Sequence, residues 1–162
     1  MQRLSDMAGP VAGLLKERGE TVAVAESSAG GLVSAALVAV PGASAYFLGG
    51  GIIYTSDARH DLLGFSREAS KMRGANEDYA MLAARAIRER LGASWGLCET
   101  GASGPSGNGY GDPPGHAAFA VAGRLEKRLT VETGSDAREE NMWRFAAFAL
   151  DLLEAALRED GR

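Results

Sequence analysis

Stretches with helically spaced apolar residues alternate along this chain with short runs of small and β-branched residues. Leu4, Met7, Val11, Leu14 and Leu15 share one helical face, so the spacing predicts a helix from Leu4 to Arg18. Ser5 or Asp6 is the expected cap, and Gly19 the stop. A strand follows at Thr21 to Ala25, then a glycine-ended turn and a helical pattern from Leu32 to Val40. Pro41-Gly42 stops that pattern. A second strand is expected from Tyr46 to Tyr54, and a short helix from Asp57 to Leu63, capped by Ser56 or Asp57. An amphipathic helix is expected from Asn76 to Leu91, and a strand from Trp95 to Thr100. Two late strands, His116 to Ala122 and Leu125 to Thr133, flank Gly123-Arg124 as a hairpin would. A long helix from about Ala137 to Glu159 closes the order, its buried stripe including Met142, Phe145, Ala146, Ala149, Leu152, Leu153 and Leu157. Alternation of this kind specifies an α/β fold. The expectation is one three-layer α/β/α sandwich over residues 1–162, and the late strand pair makes its sheet of about five strands mixed.

Composition narrows the function. The 162 residues, 46% hydrophobic and 23% charged, suffice for one well-packed domain. A net charge of −4 provides no basic field for nucleic acid. The single cysteine, Cys98, excludes an internal disulfide and a cysteine metal cluster. Two histidines are too few for a typical zinc site without carboxylate help. The expectations are therefore no metal, no cofactor, no nucleic-acid partner and no membrane partner. The first ten residues lack the apolar core of a signal peptide, and no apolar run is long enough to span a bilayer. A cytoplasmic protein is the natural reading. Small α/β domains with glycine-rich strands often pair, so a homodimer or higher homo-oligomer is expected.

Four segments carry polar groups in patterns that suit a site. "AESSAGG", Ala25 to Gly31, lies between a strand and a helix, where backbone N–H groups can face an anion and Ser27 and Ser28 can add hydroxyls. The same serines also serve as helix caps. "GASAYFLGGGIIYTSDAR", Gly42 to Arg59, has three consecutive glycines in a strand. That suggests close approach by a ligand or another backbone, or a bulge at a sheet edge. The loop from Gly101 to Gly115 holds six glycines and three prolines and follows a strand, where α/β proteins place ligands. In "SDAREENMWRFA", Asp136 and Glu139 have capping-box spacing. Arg138 there either faces a phosphate or is a surface residue. Trp143, Phe145, Phe148 and Cys98 read most simply as core.

Together these stretches resemble the CinA C-terminal domain family of nicotinamide-nucleotide amidases. "TVAVAESSAGGLVSAAL" is similar to a family motif, Ala-Glu-Ser-Cys-Thr-Gly-Gly, with Ser28 in place of cysteine and Ala29 in place of threonine. "VPGASAYFLGGGIIYTSDARHDLLG" is similar to Pro-Gly-Ser-Ser-x-x-Phe-x-x-Gly-x-x-x-Tyr-Ser-Asn-x-Ala-Lys followed by Leu-Leu-Gly. The loop after Gly101 looks like the family's Gly-x-x-Gly-Pro-Gly-Gly segment. The resemblance runs in order over nearly the whole chain.

It implies an amidohydrolase that converts nicotinamide mononucleotide to nicotinic acid mononucleotide and ammonia without a metal, in pyridine nucleotide salvage. It implies catalytic Ser44, Tyr54 and Arg59, with Ser44 as nucleophile. Because glycine-rich and polar segments flank strand ends in three places, substrate binding is expected from Glu26, Ser27, Ser28, Gly30, Gly31, Gly104, Pro105, Ser106 and Gly107, with Arg138 near a helix start. Arg59 stands where the family has lysine, and arginine cannot act as a base because it stays protonated. On this reading Arg59 opposes the charge of a Tyr54 phenolate, and Tyr54 serves as base. Asp112 and His116 also replace a cation and a small hydroxyl residue. The alternative is a catalytically weak or silent relative that binds a nucleotide or another small ligand.

Overall fold

The structure, a computed structural model, describes residues 2–161. Its elements in chain order are α1 (Leu4–Arg18), β1 (Val22–Glu26), α2 (Leu32–Val38), β2 (Phe47–Ile52), α3 (Ser56–Leu63), α4 (Glu77–Leu91), β3 (Trp95–Gly101), β4 (His116–Ala122), β5 (Lys127–Glu132) and α5 (Arg138–Asp160). Single 3₁₀ turns occupy Ala43–Ala45 and Ala69–Lys71. The sheet order is β2-β1-β3-β4-β5. β1 runs parallel to β2 and β3, whereas β4 is antiparallel to β3 and β5. The expected element order, the five mixed strands and the three layers are all present. Among the described residues no helix is long and apolar enough to cross a membrane.

Several expected caps are not the ones used. Arg3 is the N-cap of α1 and makes no side-chain cap bond, because Ser5 and Asp6 already lie inside the first turn. Ser56 and Asp57 are likewise within α3, so Thr55 caps it, its hydroxyl accepting from the Ala58 N–H at 3.1 Å. At α5 the N-cap is Ala137 rather than Asp136. Its N–H donates to the Ser135 hydroxyl at 3.1 Å.

The two faces of the sheet differ in side-chain size. Val22, Val24, Trp95, Leu97, Phe119 and Val121 point to one face, where α1, α2 and α5 pack. Ala23, Ala25, Cys98, Ala120 and Ala122 point to the other. Small residues on that face let α4 lie almost on the backbone. A Cβ added at Gly96 would sit 2.0 Å from the Ala84 carbonyl oxygen of α4. β1, β3 and β4 are buried almost throughout, as strands sandwiched between helical layers must be.

The close seating of α4 predicts opposite outcomes for two glycine-to-alanine changes. Gly96→Ala must push α4 away and is expected to cost about 1–3 kcal/mol, the usual penalty for overpacking. Gly13→Ala, within α1 and with open space around the added methyl, is expected to stabilise by about 0.5–1 kcal/mol through helix propensity. Urea midpoints read both effects. Equal midpoints for Gly96→Ala and the parent would contradict the packing described.

Candidate active site

Because β1, β2 and β3 are parallel, the turn after β1, the residues after β2 and the loop after β3 all emerge at one end of the sheet. This is the end at which open α/β sheets bind ligands.

Two buried carboxylates organise the turn after β1. Glu26, the last residue of β1, is fully buried. One of its oxygens accepts from the Gly31 and Val33 N–H groups at 2.7 and 3.1 Å. The other accepts from the Ser34 N–H and hydroxyl at 2.9 and 2.7 Å. Glu99 on β3 accepts from the N–H groups of Ser27 and Ala29, both at 2.9 Å, and from the Ser28 hydroxyl. Burial pushes the Glu99 carboxyl up to about 7 against these hydrogen bonds, and the nearby Glu26 adds to the rise. The expectation that this turn presents free backbone donors to an anion is therefore corrected. The N–H groups of Ser27, Ala29 and Gly31 already serve the protein's own carboxylates. Glu26, Ser27 and Ser28 build the floor of the site, and Gly30 is exposed at its surface.

The loop after β3 is tied to this floor. The Ser103 hydroxyl donates to the Ser28 carbonyl at 3.1 Å. Asn141, fully buried on α5, donates to the carbonyls of Ser103 and Ser135, both at 2.8 Å. Gly104 has φ +107, and a Cβ there would lie 2.6 Å from the Asp136 carbonyl oxygen, so the segment before α5 fits over this loop only with glycine. Pro105, Ser106 and Gly107 are exposed at the rim.

Arg138 closes the constellation. Its guanidinium donates to the Gly104 carbonyl at 2.5 Å and to the Tyr54 hydroxyl at 3.2 Å. Beside it a groove of about 310 Å³ is lined by Leu32, Arg138, Glu139, Met142 and Trp143. Met142 and Trp143, expected in the core, instead form part of this wall. A larger cavity of about 760 Å³ lies between the ends of α1 and α5. Of its three arginines, Arg18 and Arg124 are ion-paired with Glu20 and Asp160 and Arg158 with Glu154, which leaves it poorly suited to a charged ligand.

Arg59 and Ser44 are elsewhere. Arg59 donates to the carbonyls of Ser70 and Met72 at 3.1 and 2.6 Å, and it stacks 4.1 Å from the centre of the Tyr79 ring. Its phenol neighbours are Tyr79 and Tyr110, not Tyr54. The backbone of Gly74 and then the Arg59 guanidinium hold the Tyr110 hydroxyl below the usual phenol range, against the opposing effect of burial. The expected electrostatic partnership of Arg59 with Tyr54 is thus corrected, and the cation beside Tyr54 is Arg138. Ser44 sits exposed on the 3₁₀ turn that enters β2, whereas Tyr54 follows β2. Six residues of extended strand, about 20 Å, separate them. Ser44, Tyr54 and Arg59, expected together as the catalytic set, do not line one pocket. Lys16 braces the turn before Ser44, donating to the Pro41 carbonyl at 2.6 Å.

Asp112 and His116 are structural. Arg73 grips the Asp112 carboxylate through both oxygens, at 2.5 and 2.7 Å. His116 Nε2 lies 2.8 Å from the Ala75 carbonyl and Nδ1 lies 3.1 Å from Glu132. The acid at position 112 is therefore neutralised within the protein. Among the described residues no group of three or more His, Cys, Asp or Glu side chains could hold a metal ion.

Residues 4–157 match the family model described as the CinA C-terminal domain. The chain is 47% identical over 118 residues to a CinA-like protein of Prochlorococcus marinus, an alignment covering 72% of this chain and 28% of that protein. It is 39% identical over 152 residues to a CinA-like protein of Chlorobium limicola, covering 90% of this chain and 34% of that protein. The chain thus spans about a third of the length of these curated relatives. Its fold is similar to the crystal structure of a competence-damaged protein (CinA) superfamily protein from Klebsiella pneumoniae, with TM-score 0.89 and 24% identity over 98% of this chain and 99% of that one. It is also similar to the competence/damage inducible protein CihA from Agrobacterium tumefaciens, with TM-score 0.87 and 28% identity over 98% and 99% of the two chains.

The environment of Glu99 predicts a pH dependence of stability. Folded Glu99 keeps its proton up to about pH 7, whereas the unfolded side chain releases it near 4.5. Between those values the folded state binds more protons, so this group's contribution to stability falls as pH rises. Glu99→Gln mimics the protonated acid, one amide group facing the Ser28 hydroxyl and its oxygen facing the two N–H groups. Stability curves of parent and variant should diverge in favour of the glutamine, by up to about 3 kcal/mol on passing from pH 4.5 to above 7. Parallel curves across that window would overturn the assignment.

Proposed function

The chain belongs to the CinA C-terminal domain family, and on that premise we propose that it is a metal-independent amidohydrolase acting on nicotinamide mononucleotide. The observation that carries this reading is the Arg138 guanidinium, poised between the Tyr54 hydroxyl and the Gly104 carbonyl beside an open groove. A guanidinium at such a rim suits a phosphate, which it can meet with two parallel N–H donors. An aromatic groove wall, Trp143, suits a pyridine ring.

On this reading Ser44, assigned by the family resemblance, is the nucleophile. Its hydroxyl oxygen bonds to the carboxamide carbon, the C–N bond breaks, and the nitrogen leaves with a proton as ammonia. Water then cleaves the ester to nicotinic acid mononucleotide and restores the hydroxyl. Tyr54 is the group on hand to move the protons, since Arg59 is held by Ser70, Met72 and Tyr79 and stays protonated.

The test is ammonia release from nicotinamide mononucleotide by the parent, Ser44→Ala, Tyr54→Phe, Arg138→Gln and Arg59→Lys proteins. Ser44→Ala and Tyr54→Phe should each lower kcat by about 10²–10⁴-fold, the usual cost of losing a positioned catalytic group. Arg138→Gln should act mainly on KM. Arg59→Lys should bring no gain in turnover, because lysine in that place inherits a structural role. Activity that persists in Ser44→Ala rules out the serine mechanism. A parent that binds the mononucleotide and releases no ammonia would favour the silent-relative reading, to which the fixed Arg59 already lends weight.

A further inference from the structure

A groove that holds the ring of nicotinamide mononucleotide must hold a cation, because the ribose on the pyridine nitrogen leaves that ring positively charged. We propose that Glu139 and Trp143 of α5 select this charge, Glu139 as counter-ion and Trp143 as the aromatic face against it. The inference rests on the amidase reading for the identity of the ligand, and on the groove itself for the means of recognition.

The start of α5 sets two ridges along the groove. Residues four apart share a helix face, so Arg138 stands in line with Met142 and Glu139 in line with Trp143. All four line the cavity of about 310 Å³, together with Leu32 of α2. Met142 reaches the turn after β1, where a Cβ on Gly30 would lie 3.0 Å from its Cε. The groove therefore runs between α5 and the entry to α2, two helices that pack on each other. Its volume is at the lower end of the range for ligand pockets, which suits a mononucleotide better than a dinucleotide.

The charges along α5 are not equally committed. Arg138 is turned to the Gly104 carbonyl and the Tyr54 hydroxyl. Arg144, the next cation along the helix, pairs with Glu140 at 3.9 Å. Glu139 is exposed and makes no hydrogen bond or ion pair among the described residues. An acid in the first turn complements the helix dipole, but Glu140 already supplies one. Trp143 is half-buried, and among the described residues no cation lies over its ring. An uncommitted carboxylate and an uncommitted indole face, one helical turn or about 5.4 Å apart, form the pair that recognises an organic cation. Arg138 beside them takes the phosphate, so the two opposite charges of the mononucleotide each meet their complement on one helix. Neutral rings, whether free nicotinamide or a dihydronicotinamide, gain nothing from Glu139.

Calorimetric titration of the 162-residue protein with two probes tests the selection. The N-methylnicotinamide cation and neutral nicotinamide share a ring and a carboxamide and differ in charge. Neither carries a phosphate or a carboxylate, so neither engages Arg138 as an anion. The cation should bind about tenfold tighter, the combined effect of a half-buried cation–π contact and an exposed ion pair. Glu139→Gln should cut that advantage by about 2–5-fold, and Glu139→Lys should abolish it. Trp143→Leu should cut it by about 3–10-fold, whereas Trp143→Phe, which keeps an aromatic face, should retain most of it. Circular dichroism identical to the parent's certifies each variant as folded. Equal affinity of the parent for the two probes overturns the proposal. So does an advantage that survives Glu139→Lys or Trp143→Leu, or failure of the cation to bind at millimolar concentration. A protein that prefers the cation yet releases no ammonia from nicotinamide mononucleotide upholds the selection and overturns the amidase reading alone. Ammonia release by a protein without the preference overturns the selection and leaves the amidase reading standing.

Discussion

The grip of Glu99 on the turn after β1 is the interaction on which the candidate site depends. One buried carboxyl gathers two backbone N–H groups and a hydroxyl from three consecutive residues 70 to 72 positions away. Glu26 does the same for the first turn of α2. Burial is the main reason the Glu99 carboxyl is pushed up to about 7, and the nearby Glu26 adds to the rise. The N-terminus of α2, the natural seat for an external anion, is thereby filled from within. Any phosphate must look to side chains on the rim, and Arg138 is there.

The asymmetry of the sheet sets where that rim can be. The small-residue face admits α4 so closely that the helix lies against β1, β3 and β4. The large-residue face takes three helices, and α5 runs across it so that its first turn reaches the Gly104 loop. Asn141, one turn into α5, locks this placement by bonding both the loop and the segment before the helix. The same logic leaves β2 at the margin. Its glycines offer little for helices to pack against, and it remains the thinly covered edge of the sheet.

Much of this was legible in the sequence. The bounds of α1 and β4 follow directly from periodicity, and the element order determined the layers and the mixed sheet. Tyr54, Gly104 and Arg138 were each marked by local pattern, and the structure brings them together. Glu99 was not legible, because a lone acid in a buried strand, Trp95–Gly101, has no local signature and its partners are distant in sequence. The caps of α1 and α3 were not legible because Ser5, Asp6, Ser56 and Asp57 fall inside the first helical turn, and at α5 the N-cap position is taken by Ala137, one residue after Asp136. The separation of Ser44 from Tyr54 was legible by counting. A strand expected from Tyr46 to Tyr54 already places residues on either side of it about 20 Å or more apart.

Arginine at position 59 is better explained by its contacts than by its chemistry. One nitrogen binds the carbonyls of Ser70 and Met72, and the planar group stacks on Tyr79. A lysine ammonium has no plane to stack and only a point charge to share between those carbonyls. The residue therefore fastens the segment from Ser66 to Gly74 against α4, and it takes no part in the Tyr54–Arg138–Gly104 cluster. On the proposed amidase reading, a cation at this position that is committed to structure leaves proton handling to other groups, Tyr54 among them.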